Sequence, residues 1–232
     1  MFIGHFAPAF VAAALTASRA RSGHETGVGL GTFFIAAQLL DWAFFIFAAI
    51  GIEKMRIDPT ATVMIPYDLY YYPFTHSLLG TGAWALAFGL LVAVLFRDAL
   101  GGFLASLVVA SHWLLDWVVH APDLTLAGSG KTFGLGLWNF PEIAMPLEIG
   151  ITLAAFIYYL RRSRGPAAQP LILIGVMISL QIVNWFAPHP SEAGLLLYGQ
   201  ALAAFAILTG FAVWTGENRY FMQRGGLAAG GR

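Results

Sequence analysis

The segment Ser111-His112-Trp113-Leu114-Leu115-Asp116-Trp117-Val118-Val119-His120 sets two imidazoles and a carboxylate into an otherwise apolar stretch. Spacings of four place His112, Asp116 and His120 along one face of a helix. An ionisable group at membrane depth costs at least ~2.5 kcal/mol on insertion scales, so it requires a partner or a function. Three on one face fit a metal site, a proton path or a buried polar cluster. Imidazole and carboxylate one turn apart can hold one cation, and zinc takes nitrogen and oxygen donors, with three or four of them from the protein. The chain has no cysteine, so any metal here takes nitrogen and oxygen ligands, and disulfides, thiolate sites and cysteine nucleophiles are excluded.

One helix supplies only part of such a set. Asp41 sits in Gln38-Leu39-Leu40-Asp41-Trp42, inside a strongly apolar span, where an unpaired carboxylate would be costly or protonated. His76 sits in Tyr72-Pro73-Phe74-Thr75-His76-Ser77, where Pro73 is expected to open a helix and leave His76 in its first turn. His5 follows Gly4. The candidate metal ligands are therefore His5, Asp41, His76, His112 and Asp116, with Asp41 also the candidate proton acceptor. Taken singly, each has a plain alternative. A lone intramembrane histidine, His120 or His189 included, can be a hydrogen-bonded packing residue, and Asp41 can bond a neighbouring serine. Glu142 and Glu148 read as charges near a helix start, where the dipole favours them.

Other signals are weaker. Gly128-Ser129-Gly130-Lys131-Thr132 ends like a phosphate-binding loop, but Thr125 stands where the pattern needs glycine. Trp42, Trp113, Trp117 and Trp138 read as core or interfacial residues. Tyr67, Tyr70, Tyr71 and Tyr72 read as an interfacial girdle, with a lid over the site as the alternative.

The elements that must position these groups are helices. Of 232 residues, 59% are hydrophobic and 10% charged, and mean hydropathy is +0.74. Soluble domains carry about 25% charged residues, so the composition specifies an all-α, polytopic transmembrane bundle. Net charge is zero, which leaves nothing to attract nucleic acid. Apolar runs over 1–17, 28–52, 74–96, 99–121, 143–160, 170–187 and 193–214 predict about seven helices, the first marginal in length. No cleavable signal peptide is expected, because Arg19 and Arg21 follow the first run instead of preceding it. The connections 53–73 and 122–142 read as ordered loops or re-entrant caps. Residues 1–218 are expected to form one transmembrane domain and 219–232 a flexible cytoplasmic tail.

Basic residues orient the bundle. With the N-terminus outside, Arg19, Arg21, Arg97, Arg161, Arg162, Arg164, Arg219, Arg224 and Arg232 fall inside. Only Lys54, Arg56 and Lys131 fall outside, so the expectation is N-out and C-in. This orientation carries His5, His76, His112, Asp116, His120 and His189 to the outer end, leaving only His24 of the histidines inside. It points to one shared site near the outer boundary, with Asp41 the deepest member.

Gly4-His5, Leu39-Leu40-Asp41, Phe74-Thr75-His76-Ser77-Leu78 and Ser111-His112-Trp113-Leu114-Leu115-Asp116 stand in the order of the YdjM-like proteins. The chain resembles that family over about residues 1–120. The family comprises inner-membrane proteins described as predicted metal-dependent hydrolases. The family's Pro-Asp-x-Asp-His run is reduced here to Asp41-Trp42, and its His-Arg-Gly before Thr-His-Ser is replaced by Tyr71-Tyr72-Pro73. The order His, Asp, His, HxxxD is also distantly similar to the zinc-dependent phospholipase C and P1 nuclease group. That likeness implies one zinc on Asp41, His76, His112 and Asp116, and a second shared between Asp116 and His5. His120 and Glu142 or Glu148 are further candidates. The expected function is a zinc-dependent hydrolase of the cell inner membrane acting on a lipid or lipid-linked phosphoester. The alternatives are a non-catalytic subunit of a larger complex, and a proton-coupled transporter using Asp41, His76 and His112 as a relay.

Overall fold

The computed structural model describes residues 1–16 and 27–221; the expectations placed on Arg19, Arg21, His24, Arg224 and Arg232 lie outside the described residues. The chain enters through a short 3-10 turn, Ile3–Phe6, into α1 (Ala7–Thr16). It continues through α2 (Leu30–Ala49), α3 (Leu78–Leu95), α4 (Ala99–Val119), α5 (Pro141–Arg162), α6 (Ala168–Phe186) and α7 (Leu195–Glu217). Among the described residues six helices, α2 to α7, are long and apolar enough to cross a membrane, so the chain is an all-α, multi-pass membrane bundle. In hydrocarbon, every backbone N–H and C=O must be satisfied within the chain, and a helix does this without outside partners.

The stretch Ile3–Thr16 is shorter than the spans. Fourteen helical residues rise ~21 Å, against a hydrocarbon core of ~30 Å. Its place is the centre of the bundle, where it packs on α2, α4 and α5. Buried Ala7, Ala9, Ala12, Ala13 and Ala14 let these neighbours approach closely. Phe10 fills the remaining space, meeting Phe34 and Phe156 edge-on.

Helices α3 and α4 form a close hairpin. Gly102 faces Gly89 across it: a Cβ on Gly102 would lie 2.5 Å from the Gly89 carbonyl oxygen. Ser106 Oγ donates to the Ala85 carbonyl at 2.7 Å, a bond from α4 to α3. Outside this hairpin, α2 and α6 each pack on α7.

The two long connections are ordered, each built on a small antiparallel hairpin at the end where α2 finishes and α3 begins. Strand β1 (Lys54–Ile57) pairs with β2 (Tyr67–Tyr71), and β3 (Leu124–Thr125) with β4 (Thr132–Phe133). The glycine-rich string 128–132 runs into β4 instead of a helix; Gly128 and Gly130 adopt φ +86° and +88°, as a tight turn requires. At the opposite end, β5 (Ser163–Arg164) pairs with β6 (Tyr220–Phe221). Arg219 donates from Nε to Ser163 Oγ at 2.7 Å and from Nη2 to the Ser163 carbonyl at 3.0 Å. The first residues of the expected tail are thus held to the bundle, and 222–232 lie outside the described residues.

Candidate metal centre

Four separate parts of the chain deliver His5, Asp41, His76, His112 and Asp116 to one buried place. His112 and Asp116 come from the last two turns of α4, one turn apart, as the helical spacing requires. Asp41 comes from α2, and His5 from the 3-10 turn that leads into α1. His76 is not in a helix, contrary to the expectation drawn from Pro73. Pro73 opens a turn, the His76 N–H donates to the Tyr72 carbonyl at 3.1 Å, and α3 starts at Leu78. Ser77 is its N-cap, accepting from the Gly80 N–H at 3.0 Å. The capping hydroxyl overrides the proline as the start signal.

Asp116 is the hub. Its Oδ1 lies 2.9 Å from the Met1 amine, 3.0 Å from His5 Nε2 and 3.6 Å from His120 Nε2. Its Oδ2 lies 3.1 Å from His112 Nε2 and 3.7 Å from His76 Nε2. Asp41 Oδ1 faces the same two rings, at 3.3 Å from His76 Nε2 and 3.5 Å from His112 Nε2. The rings of His5 and His112 stack at 3.7 Å. Side-chain exposure is 3% for Asp116 and 19% for Asp41, so only Asp41 keeps open surface.

The far sides of the rings decide which nitrogen faces the centre. His112 Nδ1 lies 2.8 Å from the Ala37 carbonyl oxygen, so Nδ1 carries the proton and donates. His120 Nδ1 likewise donates to Asp123 Oδ1 at 3.1 Å. His76 Nδ1 lies 2.7 Å from Thr75 Oγ1, whose own hydroxyl donates to Glu53 Oε2 at 2.7 Å. With its one proton committed there, the threonine can only accept, so His76 Nδ1 also carries the proton. Each ring therefore turns Nε2 toward a carboxylate. A neutral ring presents a lone pair there, and the two repel unless a proton or cation lies between them. His5 Nδ1 is buried without a hydrogen-bond partner, whereas His5 Nε2 and His112 Nε2 meet the two oxygens of Asp116 at 3.0 and 3.1 Å. Two groups can each hold a metal ion: His5 with His112 and Asp116, and Asp41 with His76 and His112. Asp116 offers one oxygen to each side.

Several residues that sequence reasoning passed over hold these donors in place. Glu53, 1% exposed, accepts from the Phe74 and Thr75 N–H groups at 2.8 and 3.0 Å. Asp123 orients His120. Glu148 takes no part as a ligand: its Oε1 accepts from the Phe2 and Gly4 N–H groups at 2.6 and 3.1 Å. Gln181 Oε1 accepts from Ile3 N–H at 3.1 Å, and its Nε2 donates to Glu148 Oε2 at 3.4 Å. Gln38 donates to the Phe2 carbonyl at 3.2 Å. Thr152 Oγ1 also lies 3.3 Å from the Ile3 carbonyl oxygen, so the turn that carries His5 is held by four buried side chains. Glu142 is exposed in the first turn of α5 and does not join the centre. The tyrosines divide: Tyr70 and Tyr71 are exposed on β2, whereas Tyr72 is buried against His76 and His120. Burial pushes the Tyr72 phenol well above its ordinary range.

A cavity of about 450 Å³ opens over the centre, between α2, α6 and α7. Asp41, His76, Asp116 and His120 form the part of its polar lining nearest the centre, and Glu148, Asn184 and Gln200 also line it. Phe44, Phe45, Leu180, Val183, Leu197, Ala201, Ala204 and Phe205 form an apolar wall. At its rim Tyr67 Oη lies 3.3 Å from His189 Nδ1, and burial lowers the His189 pKa. His189 therefore lines the cavity without joining the donor cluster. No family model, curated protein or solved structure matches this chain.

Proposed function

We propose that this chain is a membrane-embedded hydrolase that depends on a divalent metal, zinc by its nitrogen and oxygen donors, and cleaves a lipid or lipid-linked phosphoester. The supporting observation is the set of three histidines, His76, His112 and His120, whose Nδ1 protons are committed outward while Nε2 faces Asp41 or Asp116. Metal-ligating histidines are oriented in this way by a carboxylate or carbonyl behind the ring. Asp41, His76, His112 and Oδ2 of Asp116 would hold one ion. His5 and Oδ1 of Asp116, with His120 beyond, would be the candidates for a second, in exchange for the Met1 amine that pairs with Oδ1 at 2.9 Å.

A bound divalent ion supplies a Lewis acid and a water of lowered pKa, near 7 for zinc. Asp41, 19% exposed and lining the cavity, would serve as the proton acceptor. The buried pair Asp116 and His112 fixes the geometry and excludes bulk water from the back of the centre. The apolar wall would receive the hydrocarbon part of an amphiphile while the phosphoester rests on the polar part. At about 450 Å³ the cavity lies in the range of ordinary ligand pockets, ~300–1,000 Å³. The reaction class and the inner membrane as location are those that the motif resemblance to YdjM-like proteins would imply, with membrane lipids as the surrounding partners.

Metal analysis of the purified protein, with hydrolysis of a lipid phosphodiester in mixed micelles, tests the proposal. The wild type should retain stoichiometric metal and turn over, and Asp116→Ala should lose both. Absence of metal from the wild type, with Asp116→Ala indistinguishable from it, refutes the proposal.

A further inference from the structure

We infer that Glu53 is the positioning residue that sets the tautomer of His76, acting through the Thr75 hydroxyl, in an inference that rests on the metal-binding reading of the same centre. Glu53 lies in the turn between α2 and β1 and is buried, yet among the described residues it pairs with no cation: Oε1 accepts from the Phe74 and Thr75 N–H groups, and Oε2 accepts from the Thr75 hydroxyl. Thr75 is itself fully buried. A hydroxyl has one proton to give, and Glu53 takes it. The Thr75 oxygen then accepts from His76 Nδ1 at 2.7 Å, and the Nε2 lone pair is left to face Asp41 and Asp116. The direction of hydrogen bonding runs one way, from imidazole to hydroxyl to carboxylate.

Glu53→Gln would reverse that direction without emptying the site. The two backbone N–H groups need an acceptor, so they hold the amide oxygen where Oε1 stands. The amide NH2 must then point at Thr75 Oγ1 and donate to it. The hydroxyl proton turns to the nearest acceptor, His76 Nδ1, and the imidazole proton moves to Nε2. There it bonds Asp41 Oδ1, now 3.3 Å away, in place of a metal. All these polar groups stay paired, so the variant folds while His76 is withdrawn as a ligand.

The test is cobalt(II) titration of the metal-stripped, full-length protein in detergent, read by its visible absorption, with thermal unfolding alongside. Outer-sphere partners of metal-bound histidines are worth about 10–100-fold in affinity. Glu53→Gln should unfold near the wild-type temperature and bind cobalt weaker by about that factor. Thr75→Ser, which keeps the hydroxyl, should bind as wild type, and Thr75→Val should show the loss. Equal affinity in Glu53→Gln and wild type overturns the inference. Should Glu53→Gln fail to fold, the Thr75 pair decides, and wild-type affinity in Thr75→Val overturns it. A wild type that takes up no cobalt defeats the metal-binding reading instead. In that event 15N spectra of the metal-free histidines decide the tautomer, and an unchanged His76 tautomer in Glu53→Gln overturns the inference.

Discussion

Removing the Glu148 carboxylate should release the N-terminal turn, and the size of the effect follows from the bonds it makes. Glu148 is 3% exposed, and its Oε1 receives the Phe2 and Gly4 N–H groups at 2.6 and 3.1 Å. Glu148→Ala leaves both donors buried without an acceptor, each costing about 1–3 kcal/mol. Together that is about 2–6 kcal/mol taken from docking of the turn. At about 1.4 kcal/mol per tenfold, the open population rises from tens of fold to about ten-thousandfold. Glu148→Gln keeps one oxygen facing the same two N–H groups. Charge-assisted bonds are about twice as strong as neutral ones, so this variant should lose roughly half as much. Hydrogen–deuterium exchange of the N-terminal peptide, in detergent, reads the quantity directly. The expected order of protection is wild type, then Gln, then Ala, and because His5 rides on this turn, metal content should fall in the same order. Wild-type protection in Glu148→Ala, or a Gln variant that exchanges faster than Ala, would refute the reasoning.

Gly102→Ala sets a methyl 2.5 Å from the Gly89 carbonyl oxygen and should destabilise the α3–α4 hairpin by about 1–3 kcal/mol, seen as a lower thermal midpoint. Gly82→Ala, where nothing lies within 4 Å, should leave the midpoint unchanged. Ala204→Trp fills the apolar wall of the cavity and should abolish turnover of a long-chain phosphodiester while sparing metal content. It should also spare hydrolysis of a short, water-soluble phosphodiester; equal loss on both substrates would show that the wall does not select for chain length.

Much of the centre was legible because the chain is so apolar. Against a background of Leu, Phe and Ala, Asp41, His112 and Asp116 had no solvent to explain them, and helical spacing alone aligned the last two. What the pattern could not carry was long-range geometry. Glu53 reads as a loop charge just past an apolar run, and only the reversal through β1 and β2 brings the Phe74 and Thr75 N–H groups onto it. In sequence Glu148 reads as a charge near a helix start or as a further ligand, but its partners are the backbone N–H groups of Phe2 and Gly4, at the other end of the chain. Pro73 is the louder start signal in the sequence, but Ser77, three residues ahead of Gly80, is the cap that sets where α3 begins. The strands β1 and β2 are hard to see in sequence because a run of tyrosines shows no clean alternation of apolar and polar residues.

The donors to this centre are contributed by the first turn, α2, the β2–α3 connection and α4, so no helix hairpin of neighbours in sequence contains a complete set. A nascent bundle that has threaded α2 into lipid carries Asp41 without a complete set of donors until His76 arrives with α3 and His112 and Asp116 with α4. Ion capture at such a centre would be a late event in biogenesis, open only to a molecule whose distant segments have already met. Such a guest would act as a clasp on finished molecules, leaving half-assembled ones loose for disposal by the cell's membrane proteases.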